Sequence, residues 1–175
     1  MPRGVAFKTL GRIGMVYDVV SKHGCTTISV LSHELGTTRA QTWSALRYLE
    51  KVGLIRRQKF SRIMFYCRSD TVLTMDHIIK ALNFNGRRHI RISDILQAVC
   101  AYISSSRGRT AVIRVSYILR HLFLDNSPIM NAVLTDILTH IMHDAVIRVE
   151  REETKTRIYV DIKKAQRQLQ SICSG

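Results

Sequence analysis

The stretch from Thr37 to Arg68, TTRAQTWSALRYLEKVGLIRRQKFSRIMFYCR, changes its periodicity halfway along. Its first part starts at Thr37 and Thr38 and is amphipathic with helical spacing. It ends in Leu49-Glu50-Lys51-Val52 before Gly53, and a glycine just past a helix accepts the left-handed backbone that stops it. Leu54-Ile55 and a basic segment, Arg56-Arg57-Gln58-Lys59-Phe60-Ser61-Arg62, then turn back into Ile63-Met64-Phe65-Tyr66. Two short apolar segments around a tight polar turn read as a hairpin. The order is helix, glycine stop, strand, basic tip, strand.

The same order occurs twice. In the first half, Arg12–His23 places Ile13, Val16, Tyr17, Val19 and Val20 near one helix face, and Gly24 ends that helix. A short strand at Thr26-Thr27-Ile28 leads to a second helix, Val30–Leu35, with Ser29 expected as its N-cap and Gly36 as its break. Thr38 then caps a third helix running to about Val52. In the second half, Val115-Ser116-Tyr117-Ile118-Leu119-Arg120-His121-Leu122 matches 28–35, and His143-Asp144-Ala145-Val146-Ile147-Arg148 matches 51–56. Tyr159 matches Tyr66. The growing offset puts about five extra residues around Leu124-Asp125-Asn126-Ser127-Pro128, where Ser127 before Pro128 is a good helix start. The second unit is expected to run helix 93–105, strand 112–115, helix 117–124, helix 128–144, strand 146–151 and strand 156–161. Between the units, Asp70–Leu82 has helical spacing and Asn83–Arg88 reads as linker. A last helix is expected over Lys163–Ile172. The expected domains are 1–82, a linker over 83–91, and 92–175.

Lys and Arg outnumber Asp and Glu by 27 to 13, a net charge of +14 with pI near 10.2. Charge of that size opposes compaction and points to a polyanionic partner, nucleic acid first and an anionic membrane surface second. At 46% hydrophobic the chain can bury a core. No apolar run is long enough to span a bilayer, and no signal-peptide core follows Met1-Pro2-Arg3-Gly4. Cys25, Cys67, Cys100 and Cys173 form no CxxC pair and are expected to be reduced, buried and small. The location expected is cytoplasmic, with the nucleoid.

The segment Thr37–Arg68 resembles the recognition helix and wing of a winged helix-turn-helix domain, and the repeat makes the chain resemble two such domains in tandem. The fold this implies is α+β, mostly helical, with the two domains joined by a helix and short linker. The family pattern places core residues at Leu49, Leu46, Ala45 and Thr42. It sends Arg39, Ala40, Trp43, Ser44 and Arg47 outward, with Gln41 flanking and Thr38 at the helix start. Such a helix enters the major groove while the basic hairpin meets backbone phosphate. Arg and Gln can read base edges there. The implied DNA contacts are therefore Thr38, Arg39, Gln41, Trp43, Ser44 and Arg47 on the helix, Arg56, Arg57, Lys59 and Arg62 on the hairpin, and Arg87 and Arg88 in the linker. Trp43 departs from the family pattern. The preferred reading shifts the register and buries it in the core; an apolar contact to thymine methyls and a protein-facing anchor are the alternatives.

The second unit is expected to read DNA less well. Its helix is expected to send Asn131, Ala132, Thr135, Asp136 and Thr139 outward, and its tip, Glu152-Glu153-Thr154-Lys155, is partly acidic. Residues 1–82 carry 13 basic and 5 acidic side chains, residues 92–175 carry 11 and 8. No phosphate-cradling glycine loop, paired carboxylates or nucleophile elbow is present, so neither catalysis nor a cofactor is expected. His140 and His143 are a weak metal signal. The function expected is a double-stranded DNA-binding transcription regulator acting as a homodimer. The alternative is a chromosome-organising or assembly protein that uses tandem winged helices mainly to bind protein, as condensin kleisin-associated subunits and an ESCRT-type subunit do. In either case the second unit is the expected surface for a protein partner.

Overall fold

The structure, a computed structural model, describes residues 7–83 and 90–173. It divides into two units, Met1–Phe84 and Asn85–Gly175. The fold is α+β and mostly helical. In unit 1 the order is α1 (Phe7–His23), β1 (Cys25–Thr26), α2 (Ile28–Glu34), α3 (Arg39–Lys51), β2 (Ile55–Phe60), β3 (Ile63–Arg68) and α4 (Met75–Asn83). Unit 2 runs α5 (Ile92–Ser104), β4 (Thr110–Arg114), α6 (Val115–His121), α7 (Pro128–Ile141), β5 (Val146–Glu150), β6 (Arg157–Asp161), α8 (Ile162–Gln168) and α9 (Gln170–Cys173). Each unit holds a three-stranded antiparallel sheet whose middle strand is the last in sequence, β1-β3-β2 and β4-β6-β5. No helix among the described residues is long and apolar enough to cross a membrane.

Local sequence accounts for the helix ends. The Thr38 side chain accepts from the Gln41 backbone N–H at 3.2 Å, and the Gln41 side chain accepts from the Thr38 N–H at 3.2 Å. This reciprocal box satisfies two N–H groups that the first turn leaves without partners. Ser127 caps α7 with Pro128 at its start, as expected. The cap of α2 is Thr27 rather than Ser29, one reason the helix starts earlier than its apolar pattern suggests. Helix α2 closes with Gly36 at φ 59, where the N–H groups of Gly36 and Thr37 reach back to His33 and Ser32. Phe123 occupies the same place after α6 at φ 57, with the same pair of reaching bonds. A side chain there is strained, because Cβ crowds the carbonyl in the left-handed region.

In unit 1, α1 and α3 pack on the sheet around Val16, Val20, Leu31, Leu46, Leu49 and Ile55. Helix α4 begins at Met75, not Asp70. The segment before it lies against the hairpin instead: the Gln58 side chain donates to Thr71 O at 3.0 Å and accepts from Leu73 N at 3.0 Å. The apolar residues Ile78 and Ile79 on α4, and Ile162, Ala165 and Leu169 around α8, are buried. The expected insertion between α6 and α7 is smaller than five. That connection has six residues against four between α2 and α3, and much of the remaining offset lies in the β5–β6 tip, with six residues against two.

The cysteines differ from expectation. Cys25 is bonded to Cys67 and Cys100 to Cys173. Cys25 and Cys67 stand directly opposite each other on β1 and β3, so strand pairing brings together sulfurs 42 residues apart in sequence. The equivalent positions in unit 2 are Ala111 and Val160, also directly opposite. The double substitution Cys25→Ala/Cys67→Val therefore supplies a pair that the same fold already accommodates. It should leave the chain folded but lower its stability by about 2–4 kcal/mol, the usual worth of a bond closing a loop of this kind, read from the denaturant midpoint. Thiol titration of the denatured, unreduced parent chain should find no free thiol.

Candidate nucleic-acid interface

Helix α3 buries Thr42, Ala45, Leu46 and Leu49, the four positions the sequence pattern marked as core. At 3.6 residues per turn these fall within roughly 100° of the helix circumference. The rest is open, and Arg39, Ala40, Gln41, Trp43, Ser44, Arg47 and Tyr48 are all exposed. Trp43 is 37% exposed, so the register does not shift to bury it. It lies four residues from Arg47 and so on the same side of the helix. Several polar groups already have local work. Thr38 and Gln41 form the cap, Arg39 Nη2 donates to Ser29 Oγ at 2.8 Å, and Ser44 Oγ donates back to Ala40 O at 3.2 Å. Arg47 carries no hydrogen bond or ion pair among the described residues.

The hairpin flanks this helix. Phe60 pairs with Ile63, so its tip is only Ser61-Arg62, with Ser61 at φ 54. Alternation along β2 divides its cations between two faces. Arg56 shares a face with Gln58 and donates to Thr71 O at 3.1 Å, which ties it to the segment after β3. Arg57 shares a face with Lys59, but its Nε donates to Glu50 Oε1 at 2.7 Å. That ion pair joins the end of α3 to the hairpin above Tyr66, the residue opposite Arg57. Burial pushes the Tyr66 phenol above its ordinary pKa, Arg57 pulls it down and Glu50 pushes it up, so the phenol stays neutral at physiological pH. Lys59 and Arg62 are exposed and free of partners among the described residues. Met64, which the sequence reading did not single out, lies directly opposite Lys59 and is exposed. Arg87 and Arg88 lie outside the described residues.

The exposed groups are thus Trp43, Ser44 and Arg47 on α3 and Lys59, Arg62 and Met64 on the hairpin, two elements joined by the Arg57–Glu50 pair. Arg56, Thr38 and Gln41 are spent largely on structure. From Arg39 to Arg68 the one carboxylate is Glu50, and Arg57 neutralises it. The surface can therefore offer fixed positive charge and a flat indole to an anionic partner.

Unit 2 departs from its expected reading face. Asn131 and Thr135 are fully buried rather than outward. The buried residues of α7, which also include Val133, Leu134, Ile137 and Leu138, span roughly 200° of the helix. The Asn131 amide donates to Asn126 Oδ1 at 3.2 Å, and Thr135 Oγ donates to Asn131 O at 2.6 Å. Asp136 is paired with Arg151 at 2.8 Å. The cross-strand Arg–Tyr pair recurs: Arg148 stands 4.0 Å over the Tyr159 ring, whose hydroxyl donates to Glu150 at 2.9 Å. His143 lies 3.3 Å from Asp144. Among the described residues no three His, Cys, Asp or Glu side chains group as a metal site.

No protein-family model matches the chain, and no curated protein is significantly similar to it. Among solved structures the chain is similar to the hypothetical protein PyrSV_gp04 from Pyrobaculum spherical virus. The TM-score is 0.50 and the identity 15%, and the match covers 91% of this chain and 99% of that one. That likeness extends over both units and concerns the fold alone.

Proposed function

We propose that the chain is a double-stranded DNA-binding protein, a transcription regulator of winged helix-turn-helix type. In this reading α3 enters the major groove and the β2–β3 hairpin contacts backbone phosphate. The observation that carries it is the open face of α3: Arg47 and Trp43 stand exposed on the helix, Lys59 and Arg62 are exposed and partner-free on the hairpin, and neither element bears an unpaired carboxylate. Arg47 is the group best placed to discriminate bases, and Lys59 and Arg62 hold phosphate. Arg39 joins them by giving up its bond to Ser29. A cytoplasmic, nucleoid-associated location goes with this reading. It requires the two disulfides to persist inside a cell, as they do in hyperthermophiles.

A second reading, assembly through unit 2, is favoured by one residue. Phe123 is 80% exposed in a left-handed conformation where the equivalent residue of unit 1 is Gly36, and Ile129 and Tyr117 are exposed on neighbouring elements. An aromatic that exposed, in a left-handed conformation, suits a protein contact. The two readings are compatible if a homodimer formed through unit 2 presents two copies of α3.

The chain has a single tryptophan, Trp43, so its emission reports on the proposed interface directly. Titration with duplex should quench it and shield it from acrylamide. Arg47→Ala should cost about 1–3 kcal/mol on a preferred site and relax its sequence preference. Lys59→Ala/Arg62→Ala should weaken all duplexes alike and flatten the slope of log K against log salt by about two. Unchanged emission at saturating duplex, or a slope near zero, removes DNA as the partner. Sedimentation tests the assembly reading: it expects a dimer at micromolar concentration that Phe123→Gly returns to monomer, and a parent chain that is monomeric with and without DNA contradicts it.

A further inference from the structure

The positive excess of unit 2 is concentrated in one place. Of the 11 basic and 8 acidic side chains in residues 92–175, five basic and one acidic belong to a single cluster, leaving six against seven elsewhere. The cluster comprises Arg109 on the α5–β4 loop, with Arg107 two residues before it on the same loop, Lys163, Lys164 and Arg167 on α8, and Asp161 at the end of β6. All five cations are exposed. Gly108, Arg109, Asp161, Lys163, Lys164 and Arg167 line a cleft of about 470 Å³, and Lys163 and Arg167 also border a second cleft of about 570 Å³ against α5 and α9.

Folding does not explain this arrangement. Lys163 and Lys164 stand in the first turn of α8, where the helix dipole disfavours cations. Arg167 follows them at i+4 and i+3, spacings at which like charges repel. Asp161 is the one carboxylate of the cluster: its Oδ1 accepts the Lys164 backbone N–H at 3.0 Å as the helix cap, its Oδ2 lies 3.6 Å from Arg109, and the same single charge also attracts Lys164. Lys164 shares that carboxylate with Arg109, and Arg107, Lys163 and Arg167 have no carboxylate partner among the described residues. The loop is also an addition to the repeat. Unit 1 passes from α1 to β1 through Gly24 alone, whereas unit 2 uses Ser105–Arg109, a segment that carries both arginines. The cluster lies at the Asp161 end of β6, whereas the β5–β6 tip precedes its Arg157 end. A five-residue strand puts those ends about 13–16 Å apart.

We propose that α8 and the α5–β4 loop form a second phosphate-binding surface, which holds the sugar-phosphate backbone of duplex DNA without reading its sequence. The exposed face of α8 bears Lys163, Lys164, Gln166 and Arg167, while Ile162 and Ala165 are buried. It has no apolar side chain to insert into a bilayer, which argues for nucleic acid over a lipid surface. The surface does not depend on the role proposed for α3. It gives unit 2 a DNA contact on a face other than α7 and its hairpin.

The test uses the full chain, a variant with Arg107, Lys163, Lys164 and Arg167 each changed to Gln, and a second with Arg47, Lys59 and Arg62 each changed to Ala. Arg109 is kept, so its pairing with Asp161 survives. Affinity for a duplex long enough to reach both units is measured by anisotropy across a salt series. The Gln variant should flatten the slope by about three units and lose at least tenfold in affinity at physiological salt, with sequence preference unchanged and thermal unfolding at the parental temperature or slightly above it. Lys164→Gln alone should flatten it by about one unit, which keeps the test valid if the fourfold variant is poorly folded. A parental slope in both overturns the proposal. So does loss of binding to phosphatidylserine vesicles with duplex binding intact. If the Gln variant loses affinity and the α3 variant does not, this surface stands and the α3 reading falls; the converse result leaves α3 and removes this surface.

Discussion

The pairing of β3 with both β1 and β2 governs the rest of unit 1. One edge of β3 takes the strand that links α1 to α2, and the other takes the outgoing arm of the hairpin. The hairpin is therefore tied through a single strand to the segment that joins α1 and α2. Cys25 and Cys67 lock that pairing covalently at the end away from the hairpin tip. At the other side of the sheet, the Arg57–Glu50 pair fixes the hairpin against the end of α3. These two constraints fix the hairpin relative to the exposed face of α3.

The two units carry the same scaffold to different ends. Both have the middle strand last, the cross-strand Arg–Tyr pair, and a left-handed residue closing the second helix. Helix α3 is covered on a narrow stripe and leaves its polar side to solvent, whereas α7 is covered over about twice that arc and takes Asn131 and Thr135 inside. A helix enclosed to that extent has little left with which to read a groove. In unit 2 the cations instead gather on α8 and on a loop that unit 1 lacks. Identical architecture with relocated charge illustrates that function resides in the surfaces a fold presents rather than in the fold.

Much of this was legible in the residues. The switch from helical to alternating spacing around Gly53 located α3 and its hairpin closely, and Thr42, Ala45, Leu46 and Leu49 are the buried stripe that the spacing implied. What was misread depends on partners distant in sequence. Cys25 and Cys67 become neighbours only through the β1–β3 register, so the absence of a CxxC spacing carried no information about them. Trp43 looked like a core residue because it is large and apolar, but its position is set by the stripe and not by its own hydrophobicity. Asn131 and Thr135 looked outward because they are polar, yet the Asn131 amide donates to Asn126 and the Thr135 hydroxyl donates back along α7, while Asn131 Oδ1 is buried without a partner among the described residues. Polarity predicts exposure only where no neighbour supplies the bond. The same holds for Arg56, whose charge suggested phosphate and whose guanidinium is held by Thr71.

The central claim is that α3 discriminates between DNA sequences while the surrounding cations supply unspecific attraction. Selection of bound duplexes from a random pool by the full chain at physiological salt tests it most directly. The account predicts a short enriched motif, and a parallel selection with Arg47→Ala that still recovers DNA but loses preference within that motif. Recovery of duplexes with no enriched motif, or no recovery at all, would contradict it.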